Sequence, residues 1–305
     1  MSHDLYFRSR SSDAANPHDF AAWFRPREHY QVNDVHAVYF NRRTGVSFEV
    51  RYNEDFDEAD GSARGDRPLL PVAFNLNYVR SHVFALEAEP EVASFVRHFD
   101  LTVLDPQPDG MGEGEYTAAG FLRGWNAGNE LAVRAARSQL PNQPIPTLPA
   151  RRIEQVWRWN FDTDRRRQEI GSRLFVPTIL LCTFEGRVQS AVAWARGVPI
   201  LLPEVDLCLV SAKGSLLWHL ALRLVGKPLG GTLLLTRAEL EPILTHFKQI
   251  PGDLPACELA FDQTPAALEQ LFESKRPPET MPTGIRFETV LDQELLEGGR
   301  MKAEG

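Results

Sequence analysis

Residues 140–150 read LPNQPIPTLPA, with prolines at Pro141, Pro144, Pro146 and Pro149. Each ring fixes its own φ and pushes the residue before it towards extended backbone, so no helix runs through this stretch. It reads as a semi-rigid linker. It divides a chain of 305 residues into stretches 1–139 and 151–275, each long enough to bury a core of its own. After Ser274 the composition turns polar, and residues 276–305 read as a partly mobile tail.

Upstream of the linker, strand and helix signals alternate. Residues 4–8 form a strand candidate, and Asn16-Pro17 resembles a helix cap followed by proline in the first turn. Phe20, Trp23 and Phe24 follow at helical spacing before Pro26. Residues 35–41 and 46–52 alternate about an Arg43-Thr44-Gly45 turn and predict a hairpin. Residues 69–86 are rich in strand formers and predict one long strand or two. Glu89-Pro90-Glu91 then opens a helix with Val92, Phe95, Val96 and Phe99 on one face. Residues 101–105 predict a strand, and residues 116–137 a long helix burying Phe121, Leu122, Trp125 and Leu131.

Downstream, a helix carrying Ile153, Val156, Trp157 and Phe161 leads into strands at 175–184, 188–195, 198–202 and 205–211. Glu185-Gly186 and Arg196-Gly197 punctuate them like hairpin turns. Residues 215–225 fit a helix or a strand. Thr236 and Glu239 match a capping box, with Pro242 inside the helix that follows, and Thr264-Pro265 opens a last helix with Leu268, Leu271 and Phe272. The fold class is α+β. It comprises two halves of similar size, each a mostly antiparallel or mixed sheet with helices packed on one side.

The formal net charge is -8. Nucleic-acid binding calls for a net basic face, so this balance points away from it and towards a basic protein partner. The cysteines Cys182, Cys208 and Cys257 are sparse and form no CxxC pair, which fits a reducing compartment. The first residues, MSHDLYFRSR, have no apolar core of a signal peptide, and no stretch approaches a membrane span. A cytoplasmic location with no membrane contact is expected.

Motifs for catalysis are absent: no P-loop, no HExxH and no GxSxG. The glycine-rich residues 109–115 precede a helix, but Asp109, Glu113 and Glu115 would repel phosphate. No catalytic residue, metal site or cofactor is therefore expected. The acidic run 53–67, NEDFDEADGSARGDR, fails the calcium-loop register, since Ala59 and Asp60 fall at its fifth and sixth positions. It suits a partner-facing patch made by Asp55, Asp57, Glu58, Asp60 and Asp66. Residues 74–87 offer a candidate pocket. On a strand Asn75 and Asn77 turn away from Phe74, Leu76 and Tyr78, with Arg80, His82 and Glu87 nearby. Asn126 and Asn129, poor helix formers inside a helix, call for hydrogen bonds to neighbouring loops.

Three stretches resemble immunity-type proteins of bacterial polymorphic toxin systems. They are Asp4-Leu5-Tyr6-Phe7 after the first methionine, Asn77-Tyr78-x-Arg80 with Phe84-Ala85-x-Glu87, and Phe99-Asp100-Leu101 with Asp105-Pro106-Gln107. The resemblance covers residues 1–137. It implies a non-enzymatic binder that blocks a cognate basic toxin by occluding its active site. Two rival functions remain open. One is an enzyme using a cleft between the halves, and the other is a structural subunit of a larger assembly.

Overall fold

The computed structural model describes residues 1–10, 17–52, 69–139, 144–211 and 232–297. The chain is α+β, with mostly antiparallel sheets. It forms two compact units. One is Met1–Ile145 together with Leu291–Gly305, and the other is Pro146–Val290.

The first unit is built on a seven-stranded sheet, β2-β3-β4-β5-β1-β6-β7. Its strands are β1 (Ser2–Ser9), β2 (Tyr30–Val32), β3 (His36–Phe40), β4 (Ser47–Tyr52), β5 (Leu69–Asn77), β6 (Leu101–Asp105) and β7 (Gly112–Gly114). Every neighbouring pair is antiparallel. Alternation over residues 2–7 of β1 buries His3, Leu5 and Phe7 on one side and leaves Ser2, Asp4 and Tyr6 half-exposed on the other. The helices are α1 (Pro17–Phe24), α2 (Val83–His98) and α3 (Ala118–Gln139). Phe7, Phe24 and Trp23 meet Phe95 of α2 at ring separations of 5.2–5.6 Å, and Phe74 meets Phe121 of α3 at 5.8 Å. The aromatic core therefore lies on the buried side of the sheet.

The strand expected to reach residue 86 stops at Asn77, and α2 begins at Val83 rather than at Glu89. Val79 sits at φ 61, a left-handed conformation unfavourable for a β-branched residue, and it ends the strand. Asn129 of α3 holds that turn. Its Oδ1 accepts from the Val79 amide at 2.7 Å, and its Nδ2 donates to the Arg80 carbonyl at 2.8 Å. Pro90 thus lies inside α2 instead of opening it. Leu131, expected in the core, is 65% exposed, because α3 turns that side to solvent.

In the second unit, β8 (Thr147–Leu148) and α4 (Ala150–Phe161) begin inside the proline-rich stretch, whose residues 140–143 lie outside the described ones. Then come α5 (Thr163–Ile170), β9 (Leu180–Phe184), β10 (Arg187–Ala195), β11 (Ile200–Pro203), β12 (Leu207–Ser211), β13 (Leu233–Thr236), α6 (Arg237–Leu244), β14 (Lys248–Ile250), β15 (Ala256–Leu259), α7 (Ala266–Ser274) and β16 (Thr283–Ile285). They make one five-stranded sheet, β13-β12-β10-β9-β16, and one three-stranded sheet, β11-β15-β14. Glu185 and Gly186, at φ 50 and 73, turn the β9–β10 hairpin.

Arg196-Gly197 does not make the expected hairpin. Gly197 at φ 79 turns the chain out of the sheet, so β11 joins β15 while β10 pairs in parallel with β12. The box at Thr236 and Glu239 forms in both directions, with Pro242 tolerated inside the short α6. The stretch 215–225 lies outside the described residues. Inside this unit, Trp159 Nε1 donates to the Pro177 carbonyl at 2.8 Å, and Asn160 bonds both backbone groups of Ile179.

Residues 276–297, read from composition as part of a tail, carry β16, β17 (Leu291–Asp292) and α8 (Gln293–Glu297). Leu291, Asp292 and Leu295 are buried, and the chain returns here to the first unit.

Candidate functional site

The pairing register brings polar side chains from distant parts of the chain into rows across the half-exposed side of the first sheet. Asp4 of β1 lies opposite Asn75 of β5, Asn75 opposite Glu49 of β4, Glu49 opposite Val38 of β3, and Val38 opposite Gln31 of β2. In the next row, Tyr6 lies between Leu104 and Ala73, followed by Arg51 and His36. Asn75 Nδ2 donates to Asp4 Oδ1 at 2.5 Å, and Ser2 Oγ donates to the same carboxylate at 3.2 Å. Arg51 pairs with Glu49, and Arg8 Nε donates to Glu113 Oε1 at 2.8 Å. Partial burial, with Asp4 next to it, pushes the Tyr6 phenol up. The surface is preorganised, because Asp4, Tyr6, Glu49, Arg51 and Asn75 rise from strands paired on both edges.

The five residues of the expected pocket do not converge. Asn75 and Asn77 share the open side of β5. Glu87 is buried in α2 on the other side of the sheet, where its Oε1 accepts from Tyr39 Oη (2.7 Å), Asn41 Nδ2 (2.8 Å) and Thr44 Oγ1 (3.0 Å). That carboxylate ties the β3–β4 hairpin to α2, and burial with the adjacent negative charge pushes the Tyr39 phenol well up. Arg80 and His82 belong to the turn before α2. Arg80 Nη1 donates to the Val79 carbonyl at 2.9 Å, and His82 Nδ1 lies 2.8 Å from Asp292 Oδ1. The acidic residues Asp55, Asp57, Glu58, Asp60 and Asp66 lie outside the described residues.

Sequence reading passed over a buried histidine–carboxylate contact. His3 Nε2 lies 3.7 Å from Asp105 Oδ2, and both side chains are inaccessible to solvent. Asp105 accepts the backbone amides of Gln107 and Met111 at 3.0 Å each, which shapes the 105–111 connection. Phe121 packs edge-on to the His3 ring at 5.3 Å, and neither ring nitrogen has a hydrogen-bond partner among the described residues. The one signal in the sequence was phase: His3 shares the buried period of Leu5 and Phe7.

Burial lowers the His3 imidazole below its ordinary value of 6.5, against the opposing pull of Asp105 and Asp4. Its neutral form is therefore favoured in the fold. That contribution is complete above the unfolded value and is lost as pH falls towards the lowered folded one. The urea midpoint is expected to drop as pH falls below the unfolded value of 6.5, and to drop less in His3→Gln. Equal drops in parent and variant would discard this assignment.

The three thiols are buried, and burial pushes Cys182 and Cys208 up to about 12, so they stay protonated and unreactive. Among the described residues, no group of three or more His, Cys, Asp or Glu side chains is placed to hold a metal ion. No described helix is long and apolar enough to cross a membrane. Comparison with protein-family models, curated proteins and solved structures finds no match.

Proposed function

We propose that this protein binds a basic partner protein without catalysing a reaction, and that it acts as an immunity-type protein, neutralising a bacterial toxin by covering its active site. The observation that carries the reading is the row Asp4–Asn75–Glu49 on the half-exposed side of the first sheet, flanked by Tyr6 and Arg51. Tyrosine and arginine are effective anchors on a rigid surface: tyrosine covers a large area at little rotamer cost, and arginine offers a planar fork of donors. Carboxylates held by fixed neighbours steer a cationic partner and set its register. The excess of acids over bases in the whole chain works in the same direction.

The test is a tagged capture from the native host at low and moderate salt, followed by co-expression with any partner recovered. The expected result is one basic protein in near-equal amount whose toxicity the chain suppresses. Suppression should weaken in Asp4→Asn with Glu49→Gln, or when Asp55, Asp57, Glu58 and Asp60 are neutralised together. The two variant sets tell the sheet face from the acidic run. No stoichiometric partner at either salt would overturn the reading.

A further inference from the structure

We infer that residues 291–297 form a releasable strap that docks on the first unit and, together with Asn129, steadies the 78–82 turn. Asp292 is fully buried, and its carboxylate grips the start of α2. Oδ2 accepts the His82 amide at 2.8 Å while Oδ1 meets His82 Nδ1 at 2.8 Å. Leu291 and Leu295 form a small apolar cluster with Val133 of α3, packed by Val79, Ile145 and Leu296. Arg137 closes the far end by donating to the Leu296 carbonyl.

Two properties make the strap releasable. It is short, so the burial of a few leucines is set against the ordering of the whole segment, and these terms are of similar size. It also holds a neighbour in a sparsely populated conformation. Val79, at φ 61, packs against the leucine cluster, and the next turn of chain is fixed by Asp292. When the strap leaves, Val79 loses that packing and the His82 amide loses its acceptor, so Asn129 is left to hold a strained turn without support from that side. Strap and turn therefore open as one cooperative element, separate from the rest of the sheet.

Hydrogen exchange of the full chain, read by mass spectrometry, tests this. In Asp292→Asn, amides at 79–86 and 291–297 are expected to exchange about tenfold faster, with β1, β4 and β5 unchanged. Leu295→Ala, which leaves the Asp292 carboxylate in place, should speed exchange at His82 to a similar degree. Acceleration spread evenly over the first unit in both variants would mean ordinary loss of stability and overturn the proposal. So would an unchanged 79–86 region in either.

Discussion

Glu87→Ala is expected to destabilise the first unit by about 3–5 kcal/mol. The substitution leaves Tyr39, Asn41 and Thr44 with donors aimed at a site that no longer accepts, in a place water does not reach. Each stranded donor carries its own desolvation penalty, so the loss exceeds what one hydrogen bond would contribute. Glu87→Gln should fall between parent and alanine, since one amide oxygen can still accept. Urea denaturation followed by tryptophan fluorescence reads the change. A loss under about 1 kcal/mol for Glu87→Ala would mean that the carboxylate is not the tie between hairpin and helix.

Gly124→Ala is the second expectation, and here two effects compete. Alanine favours a helix over glycine by about 1 kcal/mol, which alone predicts stabilisation of α3. Against it, a Cβ at this position would stand 2.8 Å from Gly110 Cα, 3.1 Å from His3 Cε1 and 3.3 Å from Asp105 Oδ2. The nearest of these is backbone and the others are locked side chains, so relief requires α3 to shift from the 105–111 connection. Overpacking of this kind costs about 1–3 kcal/mol and outweighs propensity. The melting temperature is expected to fall by several degrees, at roughly 2–4 °C per kcal/mol. A variant more stable than the parent would show that α3 has room to move.

What could be read in the sequence was local. The β3–β4 hairpin, the glycine turn between β9 and β10, and the Thr236–Glu239 box depend on residues a few positions apart, and all three form. The end of β5 was not legible, because nothing near Val79 specifies a left-handed turn. Asn129, fifty residues on, holds it, and Pro90 pointed to a later helix start. The need for Asn129 to find a loop partner was legible; which loop was not. Likewise, period two placed Asn75 and Asn77 on one side of a strand. Only the strand order could add Asp4 and Glu49 beside Asn75 and send Glu87 to the other face. Asp292 escaped notice because a polar composition concealed the leucines around it.

The return of the chain to the first unit has a consequence during synthesis. At translation rates of roughly 5–20 residues per second, the second unit, Pro146–Val290, occupies the ribosome on the order of ten seconds after Ile145 is made. Through that interval the nascent first unit has its sheet but lacks Leu291, Asp292 and Leu295. The apolar surface around Val79 and Val133 is then uncovered beside a growing chain. The contiguous second unit can therefore finish before the first, although the first begins earlier. During that interval the docking place of the strap is exposed to non-native association, and a chain released before residue 291 would keep that surface bare.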